Sequence, residues 1–471
     1  MRGWLHLVTE RVLEHTRTLP TQPAGYFGDA SDEAAALVED VPQEATGLDE
    51  LLDQLFSQCL KKAYNTASPG YLAYIPGGGI VQSAMADLIA GSINRYTGVW
   101  TTAPLLVTLE MNVLRWFIEM MGLPQTARGV LLSGGSISNT TALATARHEK
   151  LGDRSDNGVL YLTDQSHHSM GKAAALTGFR RDQVRIVPSD NHRRMDVVAL
   201  RSVVEEDLRE GRRPFFVGAA AGTTNTGAVD PLTELVSLGE EYDLWIHADA
   251  AYGGFFMLTE TGRAALRGIE RADSITLDPH KGLFVPYGTG ALLVRDGAAL
   301  RRAHTVHADY MPALQTEDTG LLHQDFCEHG PELSRSFRGL RVWLPMKLHG
   351  VGAFRDCLQE KLDLARYASD ELAKMDGMNV CHPPVLSLLA FRLEKSGFDQ
   401  AATNQMNHRL LDGVLDRGRV WLTGTMIEGS FVLRICVLSF RTHRDRIDEC
   451  LDALRDVSRE LLSEPAPREE T

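Results

Sequence analysis

Cysteine is scarce in this chain: six in 471 residues, at 59, 327, 357, 381, 436 and 450, with no CxxC pair. Thiols scattered in this way argue against a disulfide scaffold or a zinc framework, and no metal site is expected. Long apolar runs are missing as well. None approaches the roughly 20 residues needed to cross a bilayer, and the first residues lack a signal-peptide pattern, so a cytoplasmic protein without membrane association is expected. Positive charge is in deficit, 48 Lys and Arg against 62 Asp and Glu, and a net charge of -14 argues against a nucleic-acid surface. There is no internal repeat and no low-complexity tract.

What is present is a chain long enough, and at 44% hydrophobic residues apolar enough, for more than one structural unit. Residues 1–65 read as helix and loop, with an acidic run from Asp29 to Asp53 broken by Pro42 and Gly47. Residues 66–345 alternate β-rich runs with helical ones. Buried strands are expected at 129–133, 159–163, 184–188, 214–219, 244–247, 274–277 and 291–294, with helices such as 195–210 and 231–243 between them. That alternation predicts an α/β fold with a mostly parallel central sheet flanked by helices, where ligands bind at the carboxyl ends of the strands. Residues 346–462 read as a smaller α+β domain, with a β-like run at 430–437 and an amphipathic helix at 444–462. The tail 463–471, with two prolines, reads as disordered.

Five segments at expected strand ends carry chemistry. The turn Ser133-Gly134-Gly135-Ser136 leads into a helical pattern, as a phosphate cradle does: glycines let backbone N–H groups approach, the helix terminus adds partial positive charge, and Ser136 offers a hydroxyl. It lacks the lysine of a Walker loop and the spacing of a dinucleotide fingerprint. In Asp164-Gln165-Ser166-His167-His168 an imidazole could lie flat on a ring, and in Gly222-Thr223-Thr224 a hydroxyl could bond its edge. In His247-Ala248-Asp249-Ala250-Ala251 a carboxylate is flanked by small residues, the anion a protonated pyridine needs. Asp278-Pro279-His280-Lys281 places a lysine, beside His280 and the apolar Leu283 and Phe284, where desolvation and a neighbouring cation can make it a nucleophile. Each is unremarkable alone. Together they specify a pyridoxal 5'-phosphate site.

The motifs SPGYLAYIP, SGGSISN, DQSHHS, GTTNTGAVDP, HADAAYGG and DPHK, in this order over residues 68–342, resemble the group II pyridoxal-phosphate-dependent amino-acid decarboxylases, most of all their aromatic (DOPA decarboxylase-like) branch. The resemblance implies the type I pyridoxal-phosphate fold. It also implies a homodimer with shared active sites, the N-terminal segment wrapping the partner. It makes Lys281 the Schiff-base lysine, Asp249 the partner of the pyridine nitrogen, Ala251 a contact of the ring and His167 the group stacked on its other face. Gly134, Gly135 and Ser136, helped by Asp278 and His280, would hold the phosphate, and Thr224 would bond near the ring.

The resemblance also implies a proton donor, Tyr310, which would reprotonate Cα after CO2 leaves; relatives with phenylalanine there tend to release an aldehyde. Lys281, Tyr310 and His167 are thus the expected catalytic residues. Departures lie elsewhere. Gly282 stands where the family commonly has tryptophan, and Ile137 where an acidic residue is frequent. Tyr74 keeps an aromatic of the substrate wall, whereas Ile75, Gly77 and Gly98 replace bulkier groups; Tyr96 and Trp100, expected from the partner subunit, would supply apolar surface. Only Arg95 in these segments could meet a second substrate carboxylate, which disfavours glutamate. The expected reaction is decarboxylation of an L-amino acid with an aromatic or large apolar side chain. The alternatives are an aldehyde-forming oxidative deaminase, another pyridoxal-phosphate lyase of a biosynthetic pathway, and a non-catalytic dimeric scaffold.

Overall fold

A computed structural model describes residues 1–305 and 323–464. Of the expected tail, Ser463 closes the last helix, Glu464 pairs with Arg409, and 465–471 lie outside the described residues. The chain forms two compact units. One is built from the described part of Gly79–Asp363 with Pro384–Leu388, the other from Met1–Gly78, Leu364–Pro383 and the described residues from Leu389 on.

All seven strands expected between residues 129 and 294 are present in the first unit: β1 (Arg128–Leu132), β2 (Gly158–Thr163), β3 (Val184–Val187), β4 (Arg213–Ala220), β5 (Trp245–Asp249), β6 (Ser274–Leu277) and β7 (Gly290–Val294). They form one sheet in the order β1-β7-β6-β5-β4-β2-β3. Pairings from β3 through β2, β4 and β5 to β6 are parallel, and β7 is antiparallel to both β6 and β1. Strands such as Gly158–Thr163 and Gly290–Val294 are buried at every position, as continuous apolar runs covered on both faces must be. The helices between them start on local signals: Val197–Arg209 begins where the Asp196 side chain accepts from the N–H groups of Val198 and Ala199. Crossovers of this kind bring the carboxyl ends of β1, β2, β4, β5 and β6 to one edge of the sheet.

The second unit holds a four-stranded antiparallel sheet in the order β10-β11-β9-β8, from β8 (Met378–His382), β9 (Leu388–Leu393), β10 (Thr423–Ile427) and β11 (Ser430–Cys436). Only the last of these was expected. The boundaries expected at 65 and 345 are not where these units divide. Residues 19–72 join the C-terminal residues: Trp421 N–H donates to the Gly70 carbonyl, Leu72 N–H to the Trp421 carbonyl, and Phe27 stacks on Trp421 at 4.4 Å. The helix Arg2–Thr18 buries none of its residues and exposes Trp4, Leu5, Val8 and Leu13.

Two histidines of the first unit, His247 and His329, are buried as neutral rings, and His304 is partly buried. Desolvation holds His247 and His304 down to about 4 and His329 to about 3. The unfolded chain binds their protons at about 6.5, so this stability is present above that pH and is lost as pH falls toward 4. His247 alone then costs on the order of 3 kcal/mol at pH 4. Asp230, raised to about 6 by burial, acts oppositely, since its contribution is present at low pH and lost as pH rises through 6. Asp273 is raised in the same sense as Asp230, and His15 and His167 are lowered like the other histidines. With the lowered histidines in the majority, the urea midpoint of the cofactor-free protein is expected to fall between pH 6.5 and pH 4. A midpoint that is flat or rising over that range would contradict the assignment.

Candidate active site

Five loops at the carboxyl ends of β1, β2, β4, β5 and β6 enclose a cavity of about 300 Å³. Its lining includes Gly134, Gly135, Ser136, His167, Thr224, Asp249, Ala251, Asp278, His280 and Lys281, so the structure brings together every residue expected to bind the cofactor. Backbone geometry opens the space at the β1 turn. A Cβ on Gly135 would stand 3.0 Å from Asp278 Oδ2 and 3.3 Å from the Ala251 methyl, and one on Gly290 would overlap the Gly134 backbone at 2.5 Å. The turn runs into the helix Gly135–Leu151, whose first N–H groups have no intrahelical partner and face the turn.

Lys281 sits on the single turn Pro279–Gly282 that follows β6, its Nζ 3.0 Å from Asp278 Oδ2. Asp278, expected to help hold the phosphate, lines the same cavity, and its carboxylate also meets the lysine directly. Its other oxygen, Oδ1, is buried with no hydrogen-bond partner among the described residues. His280 Nδ1 donates to the Thr289 carbonyl at 2.8 Å, which leaves Nε2 3.6 Å from Asp278 Oδ2. Gly282 replaces the family's tryptophan because Phe255 fills that space; a Cβ there would come within 2.8 Å of the Phe255 Cβ.

Asp249 ends β5 and presents its carboxylate to the cavity, held by Asn139 Nδ2 at 2.8 Å on Oδ2 and by the Ala251 N–H at 3.3 Å on Oδ1. His167 caps the helix His168–Leu176, and its Nδ1 lies 2.7 Å from Ser169 Oγ and accepts from the Ser169 N–H at 3.3 Å. Desolvation lowers the affinity of His167 for a second proton, against the opposing pull of Asp249. Sequence reasoning gave no role to Asn139, Ser169 or His247, although each stands inside a motif it singled out.

The expected substrate residues do not join this cavity. Tyr96, Gly98 and Trp100 pack on a later stretch of the same unit: Tyr96 OH donates to the Leu333 carbonyl, Cys327 N–H to the Gly98 carbonyl, and Trp100 N–H to Asp325. Tyr74, Ile75 and Gly77 belong to the second unit, where Tyr74 adopts φ +51, uncommon for a residue with a Cβ. Tyr310 lies outside the described residues.

A carboxylate, an amine and an imidazole around a helix-terminal glycine turn suit a flat, basic ring that bears a phosphate and a carbonyl. The family model for the pyridoxal-dependent decarboxylase conserved domain matches residues 31–394. The chain belongs to the pyridoxal-dependent decarboxylases. It is 34% identical over 462 residues to the aromatic-L-amino-acid decarboxylase of Bacillus atrophaeus, covering 98% of this chain and 96% of that one. It is 27% identical over 446 residues to the phenylacetaldehyde synthase of Petunia hybrida, covering 91% and 88%. The crystal structure of Catharanthus roseus tryptophan decarboxylase in complex with L-tryptophan superposes with a TM-score of 0.91 at 26% identity, covering 98% of both chains. The expected type I fold is therefore the fold of this pyridoxal-dependent decarboxylase, an enzyme that removes CO2 from an amino acid. The residues around its cavity fit the cofactor. The glycine turn leaves room that any side chain would fill, and Lys281 and Asp249 face one space.

Proposed function

We propose that this decarboxylase converts an L-amino acid with an aromatic side chain to its amine and CO2, with Lys281, Asp249 and His167 as its central groups. The convergence of these three side chains on one cavity carries the reading, and the similarity to the Bacillus enzyme supplies the substrate class. When bound, pyridoxal phosphate supplies an electron sink for the pair left behind as the Cα–carboxylate bond breaks. The rest is done by side chains of this chain.

Lys281 Nζ would hold the cofactor at its aldehyde carbon, and Asp278, 3.0 Å away, would keep the lysine side chain in the site when the substrate amine takes its place. Asp249, itself fixed by Asn139, would pair with the ring nitrogen and keep its proton in place. His167 and Ala251 would hold the ring between them, where any side chain longer than the Ala251 methyl would fill the space it needs. Gly134, Gly135, Ser136 and His280 would hold the phosphate, and Thr224 would bond near the ring. Tyr310 delivers a proton from its hydroxyl to the substrate Cα after CO2 has left.

A second copy of the chain completes the enzyme in this reading, forming a homodimer in which Tyr96, Gly98 and Trp100 face the partner's substrate. The exposed apolar face of the helix Arg2–Thr18, and Met85, Leu88 and Ile89 on the helix Val81–Ile93, support an interface on each unit. Among the described residues no helix is long and apolar enough to cross a membrane. All six cysteines are free thiols, which favours a reducing, cytoplasmic setting.

The test is to supply the pyridoxal-phosphate-loaded enzyme with L-tryptophan, L-tyrosine, L-phenylalanine, L-DOPA and L-glutamate and to measure CO2, amine and aldehyde. One or more aromatic substrates should give amine and CO2 in equal amounts, with glutamate inert. Tyr310→Phe should cut amine output by about 10²-fold or more, in line with the loss of a positioned proton donor, and aldehyde with oxygen uptake should appear. Decarboxylation of glutamate alone would overturn the substrate class. Unchanged amine output from Tyr310→Phe would overturn the proton donor.

A further inference from the structure

A hydrogen-bond chain runs behind the cavity, with a side branch where Thr276 Oγ1 lies 3.5 Å from His247 Nε2. Trp245 Nε1 is 2.8 Å from Ser274 Oγ, which is 2.8 Å from His247 Nδ1. His247 Nε2 is 3.1 Å from Asn139 Oδ1, and Asn139 Nδ2 reaches both Asp249 Oδ2 at 2.8 Å and Ser169 Oγ at 3.0 Å. Ser169 Oγ is 2.7 Å from His167 Nδ1. Ser274, His247, Asn139 and Ser169 are all buried, so their protons have no water to turn to.

The direction of every bond in this chain follows from its two ends. An indole N–H can only donate, so Ser274 accepts from Trp245 and keeps its own proton free for His247 Nδ1. His247 is a neutral ring and therefore carries its proton on Nε2, which donates to Asn139 Oδ1. From the other end, an ionised carboxylate can only accept, so the Asn139 atom facing Asp249 is the amide nitrogen. The two ends agree on one orientation of the Asn139 amide. Its second N–H donates to Ser169 Oγ, and the Ser169 hydroxyl proton must then go to His167 Nδ1, which also accepts the Ser169 backbone N–H.

We propose that Trp245, Ser274, His247, Asn139 and Ser169 form a positioning relay that fixes His167 in the tautomer with its proton on Nε2, and that Asn139 ties this tautomer to Asp249. The imidazole then offers an N–H to the cavity. It is a donor to an anionic oxygen, of the class of a substrate carboxylate, and not a base that removes a proton. One amide thus orients the carboxylate under the ring nitrogen and sets the proton of the imidazole over the ring. The relay rests on the reading that His167 and Asp249 flank the cofactor, but its proton arrangement is a property of the chain alone.

The test uses cofactor-free protein labelled with ¹⁵N-histidine, whose ring nitrogens report the tautomer by NMR, with His167→Gln and His247→Gln to assign the signals. In the wild type both rings should be neutral at pH 7 with the proton on Nε2. Asn139→Leu, which removes the amide oxygen that accepts from Nε2, should leave His247 as a mixture of tautomers. Ser169→Ala should do the same to His167, and Ser169→Thr should restore the single form. A proton on Nδ1 of either ring in the wild type, or variants with unchanged tautomers, would overturn the relay. In the loaded enzyme Ser169→Ala should lose about tenfold in kcat/KM and Ser169→Thr should recover it, the size expected for one orienting hydrogen bond. Absence of decarboxylation alongside the expected tautomers would defeat the proposed function and leave the relay standing. Decarboxylation alongside the wrong tautomers would do the reverse.

Discussion

Replacing Lys281 by alanine is expected to remove turnover by on the order of 10⁴-fold or more, because no other amine takes its place as the covalent nucleophile. Borohydride treatment of the loaded wild type should attach a pyridoxyl group to residue 281, and the variant should take up none. The structure adds a consequence that activity alone does not reveal. Asp278 is buried and already has one oxygen without a partner; without Lys281 its nearest nitrogen partner is His280 Nε2 at 3.6 Å. Stranding a buried carboxylate in this way should destabilise the cofactor-free protein by about 1–3 kcal/mol, less than for a fully buried pair because the lysine is partly exposed. A double variant, Lys281→Ala with Asp278→Asn, should recover much of that stability and none of the activity. Turnover by Lys281→Ala near the wild-type rate would sink the assignment of the nucleophile. A single variant as stable as the wild type would sink the role given to Asp278.

The parts of this site that were legible in the sequence share one property: each is a local signal. A glycine turn after a β-rich run, a carboxylate among alanines and a lysine after a strand can each be read within a few residues, and the α/β alternation places them at one sheet edge. The seven strands of the large sheet were legible for the same reason, since most are short, mainly apolar runs such as Gly158–Thr163 and Gly290–Val294. In the second unit Met378–His382 and Thr423–Ile427 are partly exposed and lack clean alternation, so nothing in them marks a strand until their neighbours are known. The relay was invisible because it joins residues far apart: Asn139 and Ser169 are 30 positions apart, and Asn139 and His247 are 108 apart. The place of residues 19–72 in the second unit was hidden likewise, since Gly70 meets Trp421. The role of Asp278 needed a distance. In sequence it is a polar residue at the phosphate motif, and only the 3.0 Å to Lys281 makes it the lysine's counter-ion.

Asp249→Asn should reduce kcat by about 10²–10³-fold while the cofactor stays attached through Lys281. The charge is what is lost. A neutral amide does not hold a proton on the ring nitrogen, and an unprotonated ring is a poor acceptor for the electrons released from the Cα–carboxylate bond. The surrounding hydrogen bonds say how the variant should behave otherwise. The introduced amide could still turn its oxygen to Asn139 Nδ2, preserving the 2.8 Å contact, but its nitrogen would then face the Ala251 N–H, donor against donor. A modest loss of stability, about 1 kcal/mol, should accompany the loss of rate. Reversing the introduced amide relieves Ala251 and instead opposes Asn139, so no orientation satisfies both. Asp249→Glu keeps the charge and displaces it by one methylene, and it should therefore retain more activity than Asp249→Asn despite the poorer fit. Rates for CO2 release, read beside the absorbance of the bound cofactor, separate the two effects. Equal kcat for Asp249→Asn and wild type would remove the carboxylate from the mechanism, and a glutamate variant slower than the asparagine one would show that fit, not charge, governs the site.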